Sequence, residues 1–339
     1  MSQPSRPPLG VLVAQLGSPD EPTPAALRRY LLEFLSDRNV IDYPAWFWQP
    51  ILRGLILPLR APRSARLYRS IWMAEGSPLV VHSQRFAAAL QRRLGDGFRV
   101  ALGMRYGRPA LSRALESLTK AGIRTLIIVP MFPQASATTS GSIVEAVRRL
   151  LRIPARVPHR STIRILKPRF AEAFFDSPAY LDALAGSLRD YLASLRRPTE
   201  HVLVSFHGLP VRYIRHGDPY EAQCKVTAQM LADRMGWRPE DWTLAYQSRF
   251  GPEAWLAPST QERITELARQ GVRRLLVTAP SFVADCLETL SELGIEGRED
   301  FIRAGGDPDG YSLAPSLNAD RRWVEAAASL VRETAAAGE

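Results

Sequence analysis

Cysteine is nearly absent: the 339 residues include only Cys224 and Cys286. Two thiols cannot build a disulfide framework or a four-cysteine iron–sulfur cluster, so both read as reduced and inert. Lysine is nearly as scarce. Lys120, Lys167 and Lys225 are its only occurrences, so the net charge of +10 is carried almost wholly by arginine. That sign suits an acidic ligand, a nucleic acid or an anionic membrane surface. No helix-turn-helix, zinc finger or aromatic-rich RNA-binding pattern accompanies it, so no nucleic-acid partner is expected. No apolar run reaches the length needed to cross a bilayer. The first apolar run ends at Gly17-Ser18-Pro19 without the features of a secretory signal. A cytoplasmic location is the expectation. The G-x-G-x-x-G turn of dinucleotide-binding enzymes is also missing after the first expected strand, which sets a nicotinamide-dependent dehydrogenase aside.

The rest of the composition is that of a globular chain, with 46% hydrophobic residues. Its length allows one large core or two smaller ones. An internal repeat favours two. Val11 to Pro19 aligns with Val202 to Pro210, Leu102 to Gly107 with Tyr246 to Gly251, and Gly122 to Ile127 with Gly271 to Leu276. Each half alternates apolar strands with helical patterns, as in a parallel α/β sheet. Strands are expected at Gly10 to Leu16, Arg99 to Met104 and Thr125 to Val129. Helices are expected from Pro24, capped by Thr23, and at Gln84 to Leu94, Leu111 to Ala121 and Ser142 to Leu151.

The first half is longer than the second between its first two matched strands, and the excess contains an aromatic-basic stretch, Tyr43 to Arg69. Trp46, Phe47, Trp48, Leu55 and Ile56 are interleaved there with Arg53, Arg60, Arg63 and Arg66. It reads either as a basic amphipathic segment lying on a membrane or as an apolar flap closing the protein's own pocket or the core. The loop from Pro130 to Gly141 follows a strand and leads into a helix. It suits an anionic group such as a carboxylate, or plain capping by Ser140 or Ser142.

Two further stretches carry chemistry. His207 lies just past the first strand of the second half, bracketed by Gly208 and Pro210. An imidazole there can take protons near neutral pH or meet a borderline metal. Glu288, Glu292 and Glu296 recur at i, i+4 and i+8, which stacks them along one helix face. That row is either a solvated face or a path for a cation or protons. His207 and Glu288 both fall at carboxyl ends of strands in one sheet, where open α/β sheets place ligands. A His and a Glu of this kind suit proton abstraction, metal delivery or both. No third or fourth ligand follows with zinc-site spacing.

An ordered series of short stretches resembles the ferrochelatase family. It comprises Val13-Ala14-Gln15-Leu16-Gly17-Ser18-Pro19, Gly76-Ser77-Pro78-Leu79, Met104-Arg105-Tyr106, Pro133 to Gly141, Ser205-Phe206-His207-Gly208-Leu209-Pro210, Gly217-Asp218-Pro219-Tyr220, Tyr246 to Gly251, Trp255-Leu256 with Pro258, Asp285 to Leu290 and Ser316-Leu317-Asn318. Single motifs are weak; the ordered set spans nearly the whole chain. The resemblance implies two Rossmann-like parallel-sheet domains related by the repeat, with a porphyrin cleft between them. The first would be residues 1–165, with the apolar lip at about 43–69. The second would be 166–339, carrying the catalytic residues and a C-terminal helix.

The implied reaction inserts Fe2+ into protoporphyrin IX. His207 and Glu288 match the family's two active-site residues, which take the pyrrole protons and meet the iron. Glu292 and Glu296 match an acidic row along a helix with a π-helical stretch, a route for iron or protons. Leu16, Arg105, Tyr106, Ser136, Thr138 and Trp255 match stretches lining the cleft. The lip residues 46–59 offer peripheral contact with the inner face of the membrane. Leu16 stands where coproporphyrin-using members tend to have Tyr, which leans the substrate toward protoporphyrin IX. Cys286 stands where some relatives carry His. No cofactor beyond the substrate iron is implied, and no iron–sulfur cluster. Two other readings remain open: a cobalt or nickel chelatase of the same architecture, and a non-catalytic tetrapyrrole-binding protein, which would be marked by loss of His207 or Glu288.

Overall fold

The computed structural model describes residues 8–151 and 167–337. Among the described residues, eight strands form two four-stranded sheets, every paired neighbour parallel. The first has β1 (Leu9–Ser18), β2 (Phe98–Gly107), β3 (Thr125–Pro130) and β4 (Lys167–Phe170) in the order β2-β1-β3-β4. The second has β5 (His201–His207), β6 (Trp242–Gln247), β7 (Leu275–Thr278) and β8 (Tyr311–Leu313) in the order β6-β5-β7-β8. Both are Rossmann-like α/β sheets of one topology. Their central strands read as unbroken apolar runs because helices cover both faces: Val11 to Ala14 in β1 and Leu203 and Val204 in β5 are fully buried.

The repeat is visible in the pairing register. Val11 pairs Ile127 and Val202 pairs Leu276, so the first and third sequence matches hold residue for residue. The second match is corrected by two residues. Val13 pairs Leu102 while its counterpart Val204 pairs Leu244, so Leu102 corresponds to Leu244 and not to Tyr246. Loop hydrogen bonds mark the same positions: Met104 N donates to Pro109 O, and Tyr246 N donates to Pro258 O. The Arg-aromatic-Gly triplets that suggested the other alignment lie at different points. In the second sheet, the loop after the strand is longer and carries Ser248 and Trp255.

The chain forms two compact units that are not its two halves. Among the described residues, the first takes in the chain up to Met131, Ala137 to Glu172, and Val324 onward; the second takes in Phe132–Ser136 and Ala173–Trp323. The boundary expected at 165–166 lies outside the described residues. The helix Arg321–Ala336, expected whole in the second domain, is shared. Trp323 packs within 5.3 Å of Phe174 and 5.9 Å of Tyr180 in the second unit. Glu325 pairs with Arg93, and Ala335 O accepts from Arg169, in the first. Phe132–Ser136 belongs to the second unit through its polar groups. Gln134 donates to Thr227 Oγ1 at 2.9 Å and Ala135 N to Gln223 Oε1 at 2.6 Å.

In the first unit the aromatic-basic stretch is one helical run: Ala45–Ile51, a π-helical turn Leu52–Ile56, then Leu57–Ile71. Its apolar residues divide between two faces. Leu52, Leu57, Ala61 and Ala65 are buried, and the helix packs on Pro24–Leu35. Trp46 (80% exposed), Leu59 (68%), Leu55 and Phe47 face solvent. Trp48 does not join them: it is buried, and its indole N–H donates to Leu35 O at 2.7 Å.

Each unit also has a π-helical segment after its third strand. In the first, Ala137–Gly141 runs into the helix Ser142–Leu151. In the second, Glu288–Glu296 runs into Gly297–Arg303. Bonding from i to i+5 widens the helix and disturbs its carbonyl ladder, and such segments gather at functional sites. Side chains take up carbonyls of the second segment, Tyr311 OH donating to Leu293 O at 2.7 Å. Gly297 is needed for this close approach, since a Cβ there would lie 2.6 Å from the Tyr311 hydroxyl.

Candidate functional site

His207 is the last residue of β5 and is half-buried. Its Nδ1 lies 2.7 Å from Gly208 O. A carbonyl can only accept, so in the neutral ring Nδ1 carries the proton and Nε2 keeps a lone pair. The Phe282 ring centroid is 6.4 Å from that of His207. Gly208 is packed too tightly for a side chain. Its N–H donates to Gln247 O at 2.7 Å, and an added Cβ would sit 2.7 Å from that same oxygen and 3.1 Å from Trp255 Cε3.

Glu288 opens the π-helical segment and is half-buried. The turn before it is anchored by Asp285, which is 5% exposed. Asn318 Nδ2 donates to Asp285 Oδ2 at 2.7 Å, and Asp285 N donates back to Asn318 Oδ1 at 2.9 Å. Cys286 is also buried. Burial, with the Glu288 carboxylate beside it, pushes its thiol well above the ordinary range. The side chain is 5% exposed and packs in the interior.

Glu292 is half-buried and Glu296 exposed. Among the described residues, no group of three or more His, Cys, Asp or Glu side chains could hold a metal ion. Exposure rises along the expected row from Glu288 and Glu292 to Glu296.

Gln247 brings these elements together. It pairs with His207 across β5 and β6 and is 1% exposed. Its Oε1 accepts from Ser205 Oγ at 2.9 Å, while its Nε2 donates to Glu288 O at 2.9 Å and to Glu292 Oε2 at 3.3 Å.

The first unit gathers a different group around Asp37. One oxygen of this carboxylate accepts from Tyr106 OH and Ser142 Oγ, each at 2.6 Å, and from the Arg105 guanidinium. Arg105 also donates to Ser142 Oγ at 2.7 Å and lies 4.6 Å over the Tyr106 ring. Burial alone would raise the Asp37 carboxyl. Hydrogen bonds from Ser142, Tyr106 and Asn39 and the charge of Arg105 outweigh it and hold the group below its ordinary value. Burial, reinforced by Asp37, pushes the Tyr106 phenol well above the ordinary range. Ser142 is therefore occupied by a network rather than serving as a cap.

Two expected cleft-lining residues are buried. Tyr106 is 0% exposed, with its hydroxyl on Asp37. Ser136 is 4% exposed and donates to Asp218 at 2.9 Å. Their hydroxyls are bonded to the carboxylates of Asp37 and Asp218. Leu16, Thr138 and Trp255 are half-buried and keep a surface.

Residues 8–335 match the family model described as ferrochelatase. The chain belongs to the ferrochelatase family. It is 46% identical to a ferrochelatase of Edwardsiella ictaluri, covering 96% of this chain and 98% of that one. Against a ferrochelatase of Photobacterium profundum the identity is 42%, covering 96% and 97%. Among solved structures it is similar to the sirohydrochlorin chelatase SirB from Bacillus subtilis subspecies spizizenii in complex with cobalt. That likeness has a TM-score of 0.55 at 12% identity, over 97% of this chain and 96% of that one. SirB from Bacillus subtilis with Fe3+ gives a TM-score of 0.53 at 12% identity, over 98% and 97%. At such identity the likeness concerns the fold alone.

In this ferrochelatase-family chain three residues of the two networks had no signal of their own in sequence. Asp37 sits in a helix-end loop among other polar residues. Gln247 and Ser248 lie inside a recognised motif, but neither amide nor hydroxyl announces chemistry until the fold surrounds it with Glu288 and Glu292.

Proposed function

We propose that this chain is a protoporphyrin ferrochelatase, a lyase-class metal chelatase that inserts Fe2+ into protoporphyrin IX to give haem b in the last step of haem biosynthesis. The reaction must remove two pyrrole protons as the divalent ion enters. The observation that carries the proposal is the state of His207. With Nδ1–H committed to Gly208 O, Nε2 is a fixed lone pair at the carboxyl end of a parallel strand. His207 takes a pyrrole proton or meets the iron. Glu288, at the start of the π-helical segment, supplies the second group and a negative charge that stabilises the incoming cation.

Other features support the same reading. Strain in a gripped macrocycle helps a metal enter a flat ring, and a rigid, hydrogen-bonded frame is what such grip requires. Leu16 is apolar and half-buried at the end of β1, which suits a ring bearing vinyl groups more than one with four carboxylates. The exposed Trp46, Phe47, Leu55 and Leu59, with arginines among them, suit peripheral contact with an anionic membrane surface. An apolar product is best released there, at the cytoplasmic face.

Anaerobic turnover with Fe2+ tests the proposal, with protoporphyrin IX and coproporphyrin III offered separately and metalloporphyrin followed in the visible spectrum. Haem formed faster from protoporphyrin IX is the expected result. Faster metallation of coproporphyrin III refutes the substrate assignment. Metallation of neither ring, with tight porphyrin binding, refutes the activity.

A further inference from the structure

All the acceptor sites of the Glu292 carboxylate are taken by neutral groups of the chain itself. Oε1 accepts from Ser248 N at 2.6 Å and from Gln261 Nε2 at 2.8 Å. Oε2 accepts from Ser248 Oγ at 2.5 Å and from Gln247 Nε2 at 3.3 Å. A carboxylate has about four lone-pair sites, and four donors fill them. An ion relay needs oxygens that change partners as the cation passes; these are engaged.

The cost of this arrangement shows in the backbone. Ser248 has φ +66°, the left-handed region that residues with a side chain seldom enter. Strain of this kind persists where the surroundings hold it, and it clusters at functional sites. Here the turn directs both the N–H and the hydroxyl of one residue onto Glu292. The preceding residue, Gln247, ties the same carboxylate to the strand of His207. Its side chain reaches Ser205, two residues before His207, and its backbone O accepts from Gly208 N, one residue after, at 2.7 Å. Its amide also takes the carbonyl of Glu288 at 2.9 Å.

We infer that Gln247, Ser248 and Glu292 form a clasp that sets Glu288 against His207, making Glu292 a positioning residue for metallation and not a carrier of iron. The inference rests on His207 and Glu288 being the reacting pair. A disturbed π-helical ladder needs ties from outside itself to hold a carboxylate to a fraction of an ångström. A displacement of about 1 Å at a reacting group costs on the order of 10²-fold in rate.

Anaerobic steady-state metallation separates the two roles. Glu292→Gln and Gln247→Leu are each expected to lower kcat about 10²-fold while KM for Fe2+ stays within about twofold of wild type. Loss of a carrier would instead raise KM for Fe2+, with kcat recovered at saturating metal; that result overturns the inference. Ser248→Ala removes one donor of the four and serves where Gln247→Leu does not fold; a smaller fall in kcat is expected, again at constant KM. Hydrogen exchange at the amides of Glu288–Glu296 in the substrate-free chain gives a readout independent of activity. Faster exchange in Gln247→Leu and Ser248→Ala supports the clasp, and unchanged exchange overturns it. Faster exchange in the variants of a wild type that makes no haem supports the clasp while refuting the metallation reading.

Discussion

Gly208→Ala puts the geometry beside His207 to a quantitative test. The new Cβ would lie 2.7 Å from Gln247 O, a backbone atom fixed by the pairing of β5 with β6, and 3.1 Å from the Trp255 ring. Neither neighbour is the free end of a flexible side chain, so the strand end itself has to move. Overpacking of this kind costs about 1–3 kcal/mol. The Gly208 N to Gln247 O bond, 2.7 Å long, must stretch or break as the strands part, adding about 1 kcal/mol. A destabilisation of about 2–4 kcal/mol lowers the melting temperature by roughly 4–16 °C in a unit of this size. Because Gly208 O also holds His207 Nδ1, turnover should fall even at temperatures where the variant is fully folded. Calorimetry and metallation assays on the same preparation decide it. A melting temperature within about 2 °C of wild type, with turnover intact, refutes the claim that this position admits only glycine and that its carbonyl orients the histidine.

Asp37→Asn should destabilise the chain by about 3 kcal/mol, because it leaves the Arg105 guanidinium, with only 17% of its side chain exposed, without its counter-charge; urea unfolding measures the difference, and a change near zero contradicts the network. The same carboxyl predicts a pH dependence. Its folded value lies below the unfolded one, so it contributes stability that is fully present above about pH 4 and is lost as pH falls through the folded value. The gap in melting temperature between wild type and Asp37→Asn should therefore close on acidification; a gap that widens refutes the assignment. Trp46→Ser with Leu59→Ser should abolish co-sedimentation with anionic liposomes at unchanged melting temperature, since both side chains are exposed; binding that persists removes this face as the contact.

Much of the fold was legible because its signals are repeated. Two apolar runs, each ending in a Gly-Ser-Pro or His-Gly-Leu-Pro turn, mark β1 and β5, and their register matches residue for residue. Thr23 caps the helix from Pro24 as its hydroxyl predicts, accepting from Ala26 N at 3.3 Å. What failed was inference from local likeness. Arg105-Tyr106-Gly107 and Arg249-Phe250-Gly251 look equivalent, but the true counterparts are fixed by where Met104 and Tyr246 bond to the following loop. Tyr106 and Ser136 belong to motifs of the site, and in the fold they are buried with their hydroxyls on Asp37 and Asp218, partners the motifs do not name. Trp48 shares its apolar character with Trp46, and only the position of the Leu35 carbonyl decides which of them is buried. Long-range partners of this kind leave no trace in spacing or periodicity. The same holds for Gln247, whose three side-chain partners come from β5 and from the π-helical segment.

The central claim is that the imidazole of His207, with its second nitrogen free to act, is the group on which metallation turns. The direct measurement is anaerobic single-turnover metallation of protoporphyrin IX by His207→Ala, with porphyrin binding followed by fluorescence in the same samples. The account predicts binding close to wild type and a metallation rate lower by about 10²–10⁴-fold. Near-normal metallation by that variant would contradict it.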